Sequence, residues 1–192
     1  NGYETGQLTG EKSQSYRFTK PTNALAPKTI EISTGRKEGI PIRQKAIHLD
    51  EFDMSAIVCE PYFVDLLKTH SELFKIEGDL SLPVAKASLL VLTKCYAVEN
   101  LKRSARGTDK EKTAKHLADI LRLTNVLQDK DRISVPEPAY KHLENLLAEQ
   151  ATLFPRSRMD QCGWKKRDVS EVEKTLRDFI TKEMQIKTGS KL

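Results

Sequence analysis

The chain has 192 residues, 38% hydrophobic and 31% charged, with 32 basic against 27 acidic residues and a formal net charge of +5. That length supports one domain, or one domain with a helical extension, around a sizeable core. The charge is interspersed rather than gathered into a polybasic tract, so it permits an anionic partner without demanding one, and no apolar run approaches the ~20 residues of a membrane span.

Residues 1–20 are polar and lack a signal-peptide core. The chain begins on Asn, which suggests processing or a piece of something longer. Tyr16–Thr19 reads as a short strand and residues 21–27 as a loop. Over Lys28–Thr34, Ile30 and Ile32 share one face and Thr29, Glu31 and Ser33 the other, which predicts a strand. Weaker strands are expected over Ile40–Leu49 and Phe52–Cys59.

Helical signals follow. Pro61 sits at a first helical position ahead of the stripe Tyr62, Phe63, Leu66 and Leu67. Pro83 is read in the same way, opening a helix over 83–102 that is apolar almost all round and therefore central. Thr108–Glu111 has capping-box form and starts a helix over 109–128. A helix near 138–153 comes next, and a second box, Ser170–Glu173, opens the last. Strands first and helices after predict an α+β fold: a small mixed or antiparallel sheet followed by a C-terminal helical bundle. The division expected is 1–59 for loops and strands and 60–192 for helices, forming one domain with the sheet.

Charge sits in a usable pattern between Lys94 and Leu127. Lys115 and Asp119 project from one helix face, either as a surface pair in its less favourable order or as a phosphate-binding lysine oriented by a carboxylate. Lys94 lies inside an apolar helix, where an amine must reach water or meet a partner. It either snorkels or points into a cleft beside Lys115 and Asp119. Glu31 is either a solvent-facing strand residue or a metal-binding carboxylate. Asp50, Glu51 and Asp53 read as a solvated turn. The three cysteines (Cys59, Cys95, Cys162) and four histidines show no metal-ligand spacing, and a reducing cytoplasm fits the free thiols. No nucleophile elbow, phosphate-binding loop or dinucleotide fingerprint is present. Trp164 in Gly163-Trp-Lys-Lys-Arg167 either stacks a base or docks the C-terminal helix.

The stretch Leu92-Thr-Lys94-Cys-Tyr-Ala97, then Arg103 and Arg106, then Lys115-His-Leu-Ala-Asp119, resembles the C-terminal half of nucleotidyltransferase-fold proteins of the abortive-infection toxin type. The resemblance covers residues 28–127. It implies nucleotide binding or nucleotidyl transfer in a toxin–antitoxin setting, with Glu31, Lys115 and Asp119 as catalytic residues. It also implies Lys94, Arg103 and Arg106 around a nucleoside triphosphate, and Mg²⁺ on Glu31. His116 stands where the family carries its first aspartate, and no Gly-Ser followed by an Asp-x-Asp pair is found. A single carboxylate cannot hold Mg²⁺ against a triphosphate. The resemblance therefore implies either a piece lacking its first strands or a member without catalysis. The alternative is an interaction module that binds nucleic acid, through Arg103, Arg106, Lys110 and Lys112, or a partner chain.

Overall fold

A computed structural model describes residues 4–5, 17–20, 22, 29–31, 33–36, 46–49, 54–77, 80–103 and 109–183. The fold is α+β. The chain forms two compact units, Asn1–Asp65 and Leu66–Leu192.

The first unit carries two small sheets. Strands β1 (Glu4–Thr5), β2 (Arg17–Thr19) and β3 (Thr29–Glu31) are antiparallel in that order, with Phe18 opposite Ile30 and Arg17 opposite Glu31. Strands β4 (Ser33–Gly35), β5 (Ala46–Leu49) and β6 (Met54–Cys59) form a mixed sheet of order β4-β6-β5. The strand expected over 28–34 is thus two, because β3 pairs with β2 while β4 pairs with β6. Helix α1 (Pro61–Thr69) starts on its proline, as the spacing predicts. Phe63 is buried, and Arg36 pairs with Glu60 at 3.3 Å. Asp50, Glu51, Asp53 and Arg106 lie outside the described residues.

The second unit begins within α1, at Leu66, and continues with an antiparallel hairpin, β7 (Ser71–Glu77) and β8 (Leu80–Ala85). This corrects the reading of Pro83 as a helix start: Pro83 lies in β8 opposite Leu73, and α2 begins at Ala87. In a two-stranded ribbon each strand has a free edge, where a missing N–H is tolerated. Leu80, Leu82 and Val84 alternate at the strand period, not the helical one.

Helix α2 (Ala87–Arg103) buries Leu89, Val91, Leu92, Cys95 and Val98. It takes its N-terminal stop from a distant carboxylate. Asp131, buried in a 3₁₀ turn, accepts the Ala87 N–H at 3.1 Å with one oxygen and the Gln128 N–H at 2.9 Å with the other. The Ser88 hydroxyl donates to the Asp131 carbonyl. An acceptor there satisfies an orphan amide and offsets the positive end of the helix.

Helix α3 (Asp109–Thr124) packs on α2. Strand β9 (Ile133–Val135), helices α4 (Glu137–Ala148), α5 (Gln150–Leu153), α6 (Arg156–Gln161) and α7 (Val169–Phe179), and strand β10 (Ile180–Lys182) complete the unit. Strands β9 and β10 pair in parallel, Ile133 beside Ile180. The box that opens α7 is Asp168–Glu171, not Ser170–Glu173: Asp168 has extended backbone and accepts the Ser170 N–H at 3.3 Å. Trp164 is fully buried, and its indole N–H donates to the Leu121 carbonyl at 2.9 Å, so the turn before α7 is anchored to α3. Its docking role holds, and a ring so buried has no face left to stack a base. Among the described residues no helix is long and apolar enough to cross a membrane.

Candidate functional site

Helices α2 and α3 are consecutive and packed together, and two of the charges singled out in the sequence, Lys94 and Asp119, meet between them. Lys94 Nζ donates to Asp119 Oδ2 at 3.0 Å. Both side chains keep a minority of their surface exposed, 30% and 24%. Lys94 thus meets a partner rather than simply extending into water. An ammonium has three donors, so the bond to Asp119 leaves two available. Arg122 approaches the other Asp119 oxygen at 3.7 Å. Lys115, one helical turn before Asp119, is exposed and forms no ion pair among the described residues.

His116 stands beside this cluster. Burial, then the Lys94 charge, then Lys115, push its pKa below the usual histidine value, with Asp119 opposing them. Its imidazole is therefore neutral at neutral pH. The buried Nδ1 has no hydrogen-bond partner, and an unpaired buried polar atom is costly unless a ligand or water satisfies it.

Arg103 sits near the C-terminal end of α2, exposed and paired with Glu99. Glu31 belongs to the first unit, on β3. The structure thus brings together Lys94, His116, Asp119 and Arg122, keeps Lys115 on the same helix, and leaves Arg103 nearer the helix end.

Among the described residues of the second unit, no group of carboxylates suited to Mg²⁺ is assembled. Asp119 is already paired with Lys94 and approached by Arg122. Asp129-Lys-Asp131 has Asp-x-Asp spacing, but Asp131 gives its oxygens to two backbone amides, and Asp129 pairs with Arg132 at 3.2 Å. Among the described residues no group of three His, Cys, Asp or Glu is placed to hold a metal ion. This donor set does not fit Mg²⁺.

A second polar pair went unread in the sequence. Glu99 of α2 meets His142 of α4, Oε2 to Nδ1, with the Tyr96 ring edge-on to the imidazole at 4.8 Å. The available signal was a carboxylate within the apolar run of α2. Cys95 is inert by comparison: burial pushes its thiol up to about 12.

No protein-family model, curated protein or solved structure matches this chain.

Proposed function

We propose that this protein is a nucleotide-binding domain of the nucleotidyltransferase-like type, whose α2–α3 helix pair receives the phosphates of a nucleoside triphosphate. The reading rests on one observation above the others: the Lys94 amine, held at 3.0 Å by Asp119, lies on the same helix pair as the exposed Lys115. Two lysines beside a neutral histidine with an unpaired nitrogen form a cationic cluster of the kind that takes phosphate oxygens through charge-assisted hydrogen bonds. In this reading Asp119 orients Lys94, Lys115 contacts phosphate, and His116 Nδ1 pairs with a ligand atom. Arg103 adds positive charge at the C-terminal end of α2, and the resemblance assigns Arg106, which lies outside the described residues, to the same ligand. Nucleotidyl transfer in a toxin–antitoxin role belongs to this proposal only where further carboxylates join Glu31 to hold Mg²⁺.

Calorimetric titration of ATP into the wild type, Lys115→Ala and Lys94→Met tests it. Loss of one phosphate-contacting ammonium weakens binding about ten- to a hundredfold. Equal affinities in all three proteins, or no binding by the wild type, overturn the reading.

A second reading has its own observation. Lys110, Lys112, Lys115 and Arg122 are all exposed along α3, which suits a nucleic-acid backbone held without transfer chemistry. Such binding falls steeply with salt. Fluorescence anisotropy with labelled single-stranded RNA at two salt concentrations distinguishes it from ATP binding.

A further inference from the structure

The turn that leads into α7 borders an open surface depression of about 410 Å³, away from the α2–α3 cluster in sequence and built from different elements. Phe154, Met159 and Val169 give it an apolar lining. Arg156, Lys166 and Arg167 bring three cations to its rim; Arg156 is paired with Asp160, while Lys166 and Arg167 form no ion pair among the described residues.

Asp168 is already committed to the N-terminus of α7, where it accepts the Ser170 amide. It therefore offsets the rim only in part, and the helix end itself is already capped. The two arginines are held in place. Arg156 donates to the Arg167 carbonyl at 2.7 Å and lies 2.8 Å from Asp160. The Arg167 guanidinium lies over the buried Trp164 ring, 5.1 Å from its centre. Guanidinium groups held this way lose less freedom when they meet an anion.

Lys166 departs from the local rules. It holds a left-handed backbone, φ 64°, a conformation that favours glycine. Its ammonium has no ion-pair partner among the described residues. A side chain kept in a strained turn beside two fixed arginines points to use of its charge.

We infer that this depression is an anion site for a small phosphomonoester with an apolar or aromatic body. The depression has room for a small ligand that stays partly open to solvent. The two cations without an ion pair, Lys166 and Arg167, match a phosphate monoester, which carries close to two negative charges at neutral pH. The apolar lining takes the remainder of the ligand. This site is independent of the α2–α3 reading.

Trp164 is the only tryptophan, and its ring touches the rim through Arg167, so its emission reports the depression directly. Phenyl phosphate titrated into the full chain changes Trp164 fluorescence saturably, while phenol does not. Lys166→Gly keeps the backbone conformation and removes the charge. It melts no lower than the wild type and binds phenyl phosphate about tenfold more weakly. Lys115→Ala binds it as the wild type does. No saturable change with phenyl phosphate, equal affinity in Lys166→Gly, or a loss caused by Lys115→Ala each overturns the inference. The last outcome would place the ligand at α2–α3 instead.

Discussion

Glu99 on α2 and His142 on α4 meet at 2.6 Å, with 16% and 14% of their side chains exposed. Burial alone would raise the Glu99 pKa. Hydrogen bonding and charge from His142, hydrogen bonding from Asn145 and the charge of Arg103 outweigh it, and hold Glu99 below the ordinary carboxylate value. A carboxyl with a depressed folded-state pKa adds stability that is complete above its unfolded value and is lost as pH falls through the folded one. Glu99→Gln should cost about 1–3 kcal/mol at pH 7. Urea titrations at pH 7 and below pH ~4 should show the gap between variant and wild type closing in acid. A gap of constant size means that Glu99 contributes packing, not charge.

His116 carries the opposite dependence on its own charge. Its folded-state pKa is lowered, first by burial and then by Lys94 and Lys115. The fold therefore favours the neutral ring, and stability is complete above the ordinary histidine value and declines as pH drops below it. Thermal melts of wild type and His116→Gln between about pH 7 and 5 should diverge in slope, with the variant flatter. Parallel slopes would show that the imidazole titrates alike folded and unfolded.

The Lys94–Asp119 bond joins α2 to α3 from a partly exposed position. A double-mutant cycle with Lys94→Met and Asp119→Asn should give a coupling of about 0.5–1.5 kcal/mol. Lys115→Ala, with no ion pair to lose, should stay within about 0.5 kcal/mol of the wild type. A larger stability loss in Lys115→Ala would count against a role confined to ligand binding.

Asp131 is a short-range-looking residue with a long-range task. Asp131→Ala leaves the Ala87 and Gln128 amides without their acceptors in a partly buried place. The expected cost is about 2–3 kcal/mol, above that of an ordinary cap. Asp129→Ala, two residues earlier and largely exposed, should be near neutral. Chemical denaturation of the two variants side by side checks this; equal effects would remove the capping argument.

The parts of this architecture that sequence reveals are those with a local signal. The α2–α3 helix pair is legible because its apolar residues repeat at the helical period, and a lysine inside such a run needs a partner. Pro61 marks α1 for a similar reason. The β7–β8 hairpin is hidden because Pro83 carries the same letter as a helix start. Only the pairing of Leu73 with Pro83 settles its meaning. Strands β9 and β10 are three residues each and pair in parallel across four helices, which leaves no local trace. Glu99–His142 and Ala87–Asp131 are 43 and 44 residues apart in the chain. Neither His142 nor Asp131 carries a local mark of its partner, and only packing gives it a role.

Nucleotidyl transfer provides the most demanding test of the resemblance. Two-metal transfer needs about three carboxylates around Mg²⁺. On the second unit Asp119 is bound to two cations, Asp131 to two amides and Asp129 to Arg132. Glu31, on β3, is the carboxylate that the resemblance assigns to the metal. This chain should therefore transfer no labelled nucleotide to RNA or protein acceptors in the presence of Mg²⁺, even where it binds ATP. Turnover that survives Glu31→Gln would point to carboxylates unrelated to the resemblance. Turnover abolished by Glu31→Gln but retained in Lys166→Gly would show that residues around β3 do assemble a metal site, and would reverse this expectation.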